Sequence, residues 1–179
     1  MTHPGVKLKN QKEKATKKTK DFVPNSTILN CQDETSKALL VTGPNMGGKS
    51  TLLRQTCLAV ILAQMGCFVP AEKFILTPVD RIFTRLGASD RILEGKSTFF
   101  IEMEETKNIL QYGTNRSLAI VDELGRGTST FDGYSIAYSV LNYMLKKIEC
   151  RCLFATHYHM LLDDFRDYPG VSSYYMACQ

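Results

Sequence analysis

Two tetrapeptides with the same letters, Gly48-Lys49-Ser50-Thr51 and Gly95-Lys96-Ser97-Thr98, carry the residue types from which phosphate chemistry is built. Only the first stands in a complete pattern. Gly43-Pro44-Asn45-Met46-Gly47-Gly48-Lys49-Ser50 reads G-x-x-x-x-G-K-[ST], and Thr51 continues it. In a loop of this kind the glycines let backbone N–H groups turn inward around phosphate oxygens. A helix starting there adds the partial positive charge of its N-terminus. Lys49 would then reach the outer phosphates of a nucleotide, and the Ser50 hydroxyl would ligate Mg²⁺. Before the second tetrapeptide, the position corresponding to Gly43 is Asp90, and the preceding "ASDRILE" is polar. That run is no second loop of the same type. It leaves Ser97 and Thr98 at a helix start, where a hydroxyl either caps the helix or donates to an anion.

Two carboxylates complete the first constellation. "SLAIVDE" is a continuous apolar run ending in Asp122 and Glu123. A carboxylate at the end of a parallel strand beside a phosphate loop holds Mg²⁺ through water, which is the role expected of Asp122. Glu123, one residue on, is placed to orient and deprotonate an attacking water. His157 ends the next apolar run, "RCLFATH", at the same rim, where it could bond a terminal phosphate. The pairs Cys150/Cys152 and His157/His159 have a superficial zinc spacing. A strand between them would hold them roughly 17 Å apart, so zinc is not expected.

These side chains must be positioned by strands and helices in alternation. Ala38 to Thr42 reads as a buried strand, and a helix is expected from Ser50 until Gly66 and Pro70 stop it. "RIFTRLG" (81–87) alternates like a half-exposed strand, and Ser97 or Thr98 can cap a helix running to about Gly113. Ile136, Val140, Leu141, Met144, Leu145 and Ile148 form one stripe of a helix that begins near Asp132. A short helix follows the strand 151–157 at "MLLDDF". Alternation of this kind predicts an α/β fold, a mostly parallel sheet flanked by helices.

The chain's 179 residues, 44% hydrophobic and 22% charged, suit one soluble globular domain. The longest apolar stretch, near Leu52 to Met65, is interrupted by polar residues and too short to span a bilayer, so no membrane partner is expected. The N-terminus has no apolar signal-peptide core. The six cysteines show no disulfide framework, and reduced buried thiols of an intracellular protein are expected. The net charge of +4 is concentrated in residues 7–20, "KLKNQKEKATKKTK". This segment has the composition of an arm or long loop, with nuclear import, contact with a phosphate backbone, or simple solvation as its possible uses.

"TGPNMGGKSTLLRQ", "GASDRILEGKSTFFIEMEET", "VDELGRGTSTFDG" and "ATHYH" together resemble the ATPase domain of the MutS family of DNA mismatch-repair proteins. "DFVPN" and "MGCFVPAEKFILTPVDRIFTRLGASDRI" look closest to the eukaryotic branch that supplies the partner subunit of the mismatch-recognition heterodimer. The match runs from about His3-Pro4 to about Cys178 and is weakest at residues 7–20. It implies a P-loop NTPase fold of the ABC-ATPase type, with ATP and Mg²⁺ as ligands and a nuclear location. It divides the chain into a Lys-rich arm or linker (1–21) and an ATPase domain (22–179) that stops short of the family's last strands and C-terminal helices. In that family two such domains face each other, so the expected partner is another MutS-family subunit, with Ser97 reaching the ATP held on the opposite chain. The family's adenine-stacking aromatic maps onto Phe22, followed by Asn25, and its switch histidine onto His157. Mismatched double-stranded DNA would be bound by family domains upstream of this segment. Phe100-Ile101-Glu102 imitates the family's mismatch wedge but sits in the signature helix and is not assigned that role. The alternative expectation is a nucleotide-binding or interaction module that does not hydrolyse ATP or bind DNA by itself.

Overall fold

The computed structural model describes residues 24–29, 37–87 and 98–177. The Lys-rich segment, Phe22 and Ser97 lie outside the described residues. The elements are β1 (Ala38–Thr42), α1 (Lys49–Gln64), β2 (Ile82–Arg85), α2 (Thr98–Tyr112), β3 (Leu118–Asp122), α3 (Thr130–Tyr143), β4 (Arg151–Ala155), α4 (His159–Asp164) and β5 (Val171–Tyr175). The five strands form one sheet in the order β2-β3-β4-β1-β5, and every adjacent pair is parallel.

The near-continuous apolar sequences of β1, β3 and β4 follow from helices covering both faces. Side chains alternate between faces along each strand. Leu39, Val41, Leu118, Ile120, Leu153 and Ala155 pack in one layer with Leu52, Leu53, Cys57 and Val60 of α1. Ala38, Leu40, Ala119, Val121, Cys152 and Phe154 pack in the other with Ile109 of α2, Ala137, Val140 and Leu141 of α3, and Leu161 of α4. Burying a side chain such as Leu53 completely contributes about 1.5–3 kcal/mol.

After β1 the chain enters α1 on one face, whereas after β4 it enters α4 on the other. The neighbouring strands β1 and β4 thus send their loops apart, opening a crevice at their C-terminal ends, the place where parallel α/β sheets bind ligands. Thr42, Asp122 and Thr156 stand at that rim and are buried.

Several boundaries depart from expectation for local reasons. α3 starts two residues before Asp132 because Ser129 caps it, its hydroxyl accepting from the Asp132 N–H at 3.2 Å. The stripe from Ile136 to Ile148 is buried or half-buried, but its last part, Met144–Ile148, is a π-helical turn closed by the Glu149 N–H donating to Met144 O at 2.7 Å. β5 extends the sheet beyond β1 and is not apparent in the polar sequence "VSSYY". Cys57, Cys150 and Cys152 are buried thiols, whereas Cys67 is exposed. No helix among the described residues is long and apolar enough to cross a membrane.

Candidate nucleotide site

The residues between β1 and α1 make a turn whose backbone needs glycine where sterics are tightest. Gly43 has φ 137° and Gly48 has φ 91°. A Cβ at Gly43 would overlap the Met176 carbonyl, and Gly47 packs on Pro44, to whose carbonyl it donates at 3.0 Å. Gly48 is the N-cap of α1 and offers no side-chain cap, and no acidic residue lies in the first turn. The first N–H groups of α1 therefore keep their capacity to bind an anion. Asn45 and Met46 are exposed at the tip, Met46 with φ 72°, and Thr51 is exposed on the first turn of α1.

Lys49 and Ser50 open α1 one after the other. Lys49 is 5% exposed, and its Nζ donates to Gly43 O at 2.7 Å and Pro44 O at 3.2 Å. Its ammonium group is thereby folded back along the loop, with Glu123 Oε1 at 3.7 Å. The Ser50 hydroxyl donates to Asp122 Oδ2 at 2.5 Å. Strand parity explains that contact. Leu118 and Ile120 face α1, so Asp122, two residues further, points to the same side as Ser50. Asp122 Oδ1 is buried and has no hydrogen-bond partner among the described residues. A buried carboxylate oxygen left over beside a hydroxyl suits a divalent cation or one of its waters, so these residues fit Mg²⁺.

Continued alternation would aim Glu123 at the opposite face. Its φ of 51° breaks the alternation, a left-handed conformation costing roughly 1–2 kcal/mol for a non-glycine residue. The turn brings its carboxylate between two cations, Lys49 on one side and Arg126 Nη1 at 2.6 Å on the other. Strain of this kind is found where a side chain must be held at a working position.

His157 is exposed immediately after β4, its ring 4.1 Å from that of Tyr158. Partial desolvation pulls its pKa below the ordinary value, while the Glu123 charge pulls the other way. His157 and His159 are exposed beyond the C-terminal end of β4, whereas Cys150 and Cys152 are buried at its start. Asn25 is exposed in the segment 24–29, whose Leu29 packs against the layer that contains α1.

Sequence reasoning missed a buried polar group beside the site. Arg85 at the end of β2 and Glu102 in α2 are 6% and 3% exposed and pair at 3.2 Å. The other oxygen of Glu102 accepts from the Gly125 N–H, and the Gly125 carbonyl accepts from the Tyr158 hydroxyl at 3.0 Å. The one available signal was an acid amid the apolar residues of "FFIEMEET".

Fold and site together define a class: a parallel α/β domain with a glycine-rich loop before its first helix and two carboxylates ending a neighbouring strand. The family described as MutS domain V matches residues 39–179. The DNA mismatch repair protein Msh6 of Gallus gallus is 53% identical over 182 residues, covering 98% of this chain and 14% of that protein. Msh6 of Homo sapiens is 51% identical, covering 99% of this chain and 14% of that protein. The bacterial DNA mismatch repair protein MutS of Symbiobacterium thermophilum is 54% identical over 87% of this chain and 18% of its own length. The chain belongs to the MutS family of DNA mismatch-repair proteins and is Msh6-like. It spans less than one fifth of the length of these relatives.

Proposed function

We propose that this chain is a Mg²⁺-dependent ATP-binding and ATP-hydrolysing domain of the P-loop type, corresponding to residues 22–179. The observation that carries this reading is the convergence of Lys49 and Ser50, at the start of α1, with Asp122 and Glu123, at the end of β3. Gly43 to Thr51 bind the phosphates through backbone N–H groups, and Lys49 exchanges its two carbonyl partners for phosphate oxygens. Ser50, and Asp122 through water, would hold Mg²⁺, which when bound neutralises charge on the phosphates. Glu123 accepts the proton of the attacking water. His157, just beyond the C-terminal end of β4, serves as a hydrogen-bonding partner for the terminal phosphate, and partial desolvation lowers its pKa.

The family resemblance supplies the rest of the reading. Ser97 serves ATP held on another MutS-family subunit, Phe22 and Asn25 flank the adenine, and in the intact protein the nucleotide state is coupled to mismatched double-stranded DNA. The Msh6 likeness and the lysines of residues 7–20 support a nuclear location. Ser97→Ala should spare ATP binding on its own chain and slow turnover on the partner. Loss of its own chain's affinity would overturn the assignment in trans.

The test of the site itself is Mg·ATP binding by isothermal titration. Lys49→Ala should lower affinity at least about a hundredfold, the scale of losing a buried charge-assisted contact. Unchanged affinity would overturn the phosphate-loop reading.

A further inference from the structure

We infer that Glu102 and Tyr158 are positioning residues that fix the loop carrying Glu123 by gripping Gly125 from both sides. The inference rests on the hydrolytic reading of the site. Residues 123–127 leave β3 in a sharply turned path, with φ 51° at Glu123 and φ 89° at Gly125. Such a path persists only where its surroundings over-determine it. Leu124 is fully buried and anchors one residue by packing. Gly125 is anchored by polar contacts on both sides of its own backbone. Its N–H donates to Glu102 of α2, and its carbonyl accepts from Tyr158, which directly follows His157.

The anchors are themselves held. Glu102 is locked by the buried Arg85 of β2. The Tyr158 backbone N–H donates to Thr156 Oγ1 at 3.0 Å, and its ring lies edge-on to Tyr134 of α3. There is no room at the node for anything but glycine, because a Cβ on Gly125 would overlap Gly133 in the first turn of α3. One residue thus ties α2, the loop of Glu123, the segment of His157 and α3 together. Among the described residues, the hydrogen bonds and ion pairs of Lys49 and Ser50 go to Gly43, Pro44, Asp122 and Glu123, and none joins them to Glu102 or Tyr158. Hydrolysis, which needs Glu123 at its working position, depends on the grip, and nucleotide binding does not.

The test uses the full chain with Tyr158→Phe, which removes one hydroxyl, and the double variant Arg85→Met/Glu102→Leu, which removes the other anchor without stranding a buried charge. Two readouts are taken: amide hydrogen exchange of residues 123–127, and, with a MutS-family partner subunit supplied, the split between Mg·ATP affinity and kcat. We expect exchange in 123–127 to rise about fivefold in Tyr158→Phe with β1 and α1 unchanged. We expect kcat to fall about ten- to a hundredfold with affinity held within a factor of about two. Unchanged exchange in 123–127, a rise spread over the whole domain, or equal loss of affinity and kcat would each overturn the inference. If the unmodified chain binds no Mg·ATP while the local exchange effect is present, the grip on Gly125 stands and the hydrolytic reading falls.

Discussion

Ser50 Oγ and Asp122 Oδ2 lie 72 positions apart in the chain and 2.5 Å apart in space, the hydroxyl donating to the carboxylate. The contact joins α1 to β3 across the mouth of the sheet, and the second Asp122 oxygen beside it is buried without a partner among the described residues. An acid so placed has more acceptor capacity than its neighbours use. Asp122→Asn preserves its shape and removes its charge. It should shift the Mg²⁺ concentration needed for half-maximal ATP binding upward by at least about tenfold, the scale of a lost charge-assisted contact. Titration of ATP affinity against Mg²⁺ checks this, and an unmoved midpoint would exclude Asp122 from the metal site.

His157 offers a pH-dependent readout. Its folded-state pKa is lowered, chiefly by partial desolvation, while Glu123 opposes the shift. The unfolded chain therefore binds more protons at this residue below the ordinary histidine value of 6.5. Its contribution to stability is full above that value and declines as pH falls from it through the folded pKa. Glu123→Gln removes the one carboxylate that raises the His157 pKa, so the pKa should fall further. NMR titration of the His157 ring tests this, and a rise in the variant would show that Glu123 is not its electrostatic neighbour.

The Arg85–Glu102 pair makes a separate prediction about stability. Both side chains are buried, so removing Glu102 leaves the buried Arg85 with the partly exposed Glu105, at 3.7 Å, in place of its buried partner. Glu102→Ala should destabilise the chain by about 3–5 kcal/mol. Arg85→Met/Glu102→Leu should recover part of that loss, because the desolvation penalties of both ions vanish together while the Gly125 N–H still lacks its acceptor. Urea unfolding of the two variants decides the point; equal destabilisation would mean that Glu102 acts through something other than its charge.

Much of the arrangement was legible from residue types. β1, β3 and β4 are apolar runs bounded by Gly, Asp or His, and α1 is announced by Gly48-Lys49-Ser50 and stopped at Gly66. Asp122 could be placed on the face of α1 by counting two residues at a time from Leu118. Glu123 could not, because its left-handed turn reverses the parity rule at that residue. β5 escaped notice because an edge strand exposing Ser173, Tyr174 and Tyr175 has no need of an apolar run. Arg85 and Glu102 escaped because a charged residue in a sequence reads as solvated until its partner, on another element, is brought beside it. The π turn at Met144–Ile148 left the stripe of buried residues intact and so had no signature in its spacing. The expectations for Phe22 and Ser97 fall outside the described residues.

Glu123 is held between Lys49 and Arg126, and on the proposed reading it serves hydrolysis without being needed for binding. The most direct measurement is Mg·ATP affinity alongside single-turnover hydrolysis for Glu123→Gln, with a MutS-family partner subunit supplied. Affinity should stay within about threefold of the unmodified chain while the hydrolysis rate falls about a hundred- to ten-thousandfold, the range for removing a general base. Turnover at the unmodified rate in that variant would contradict the account.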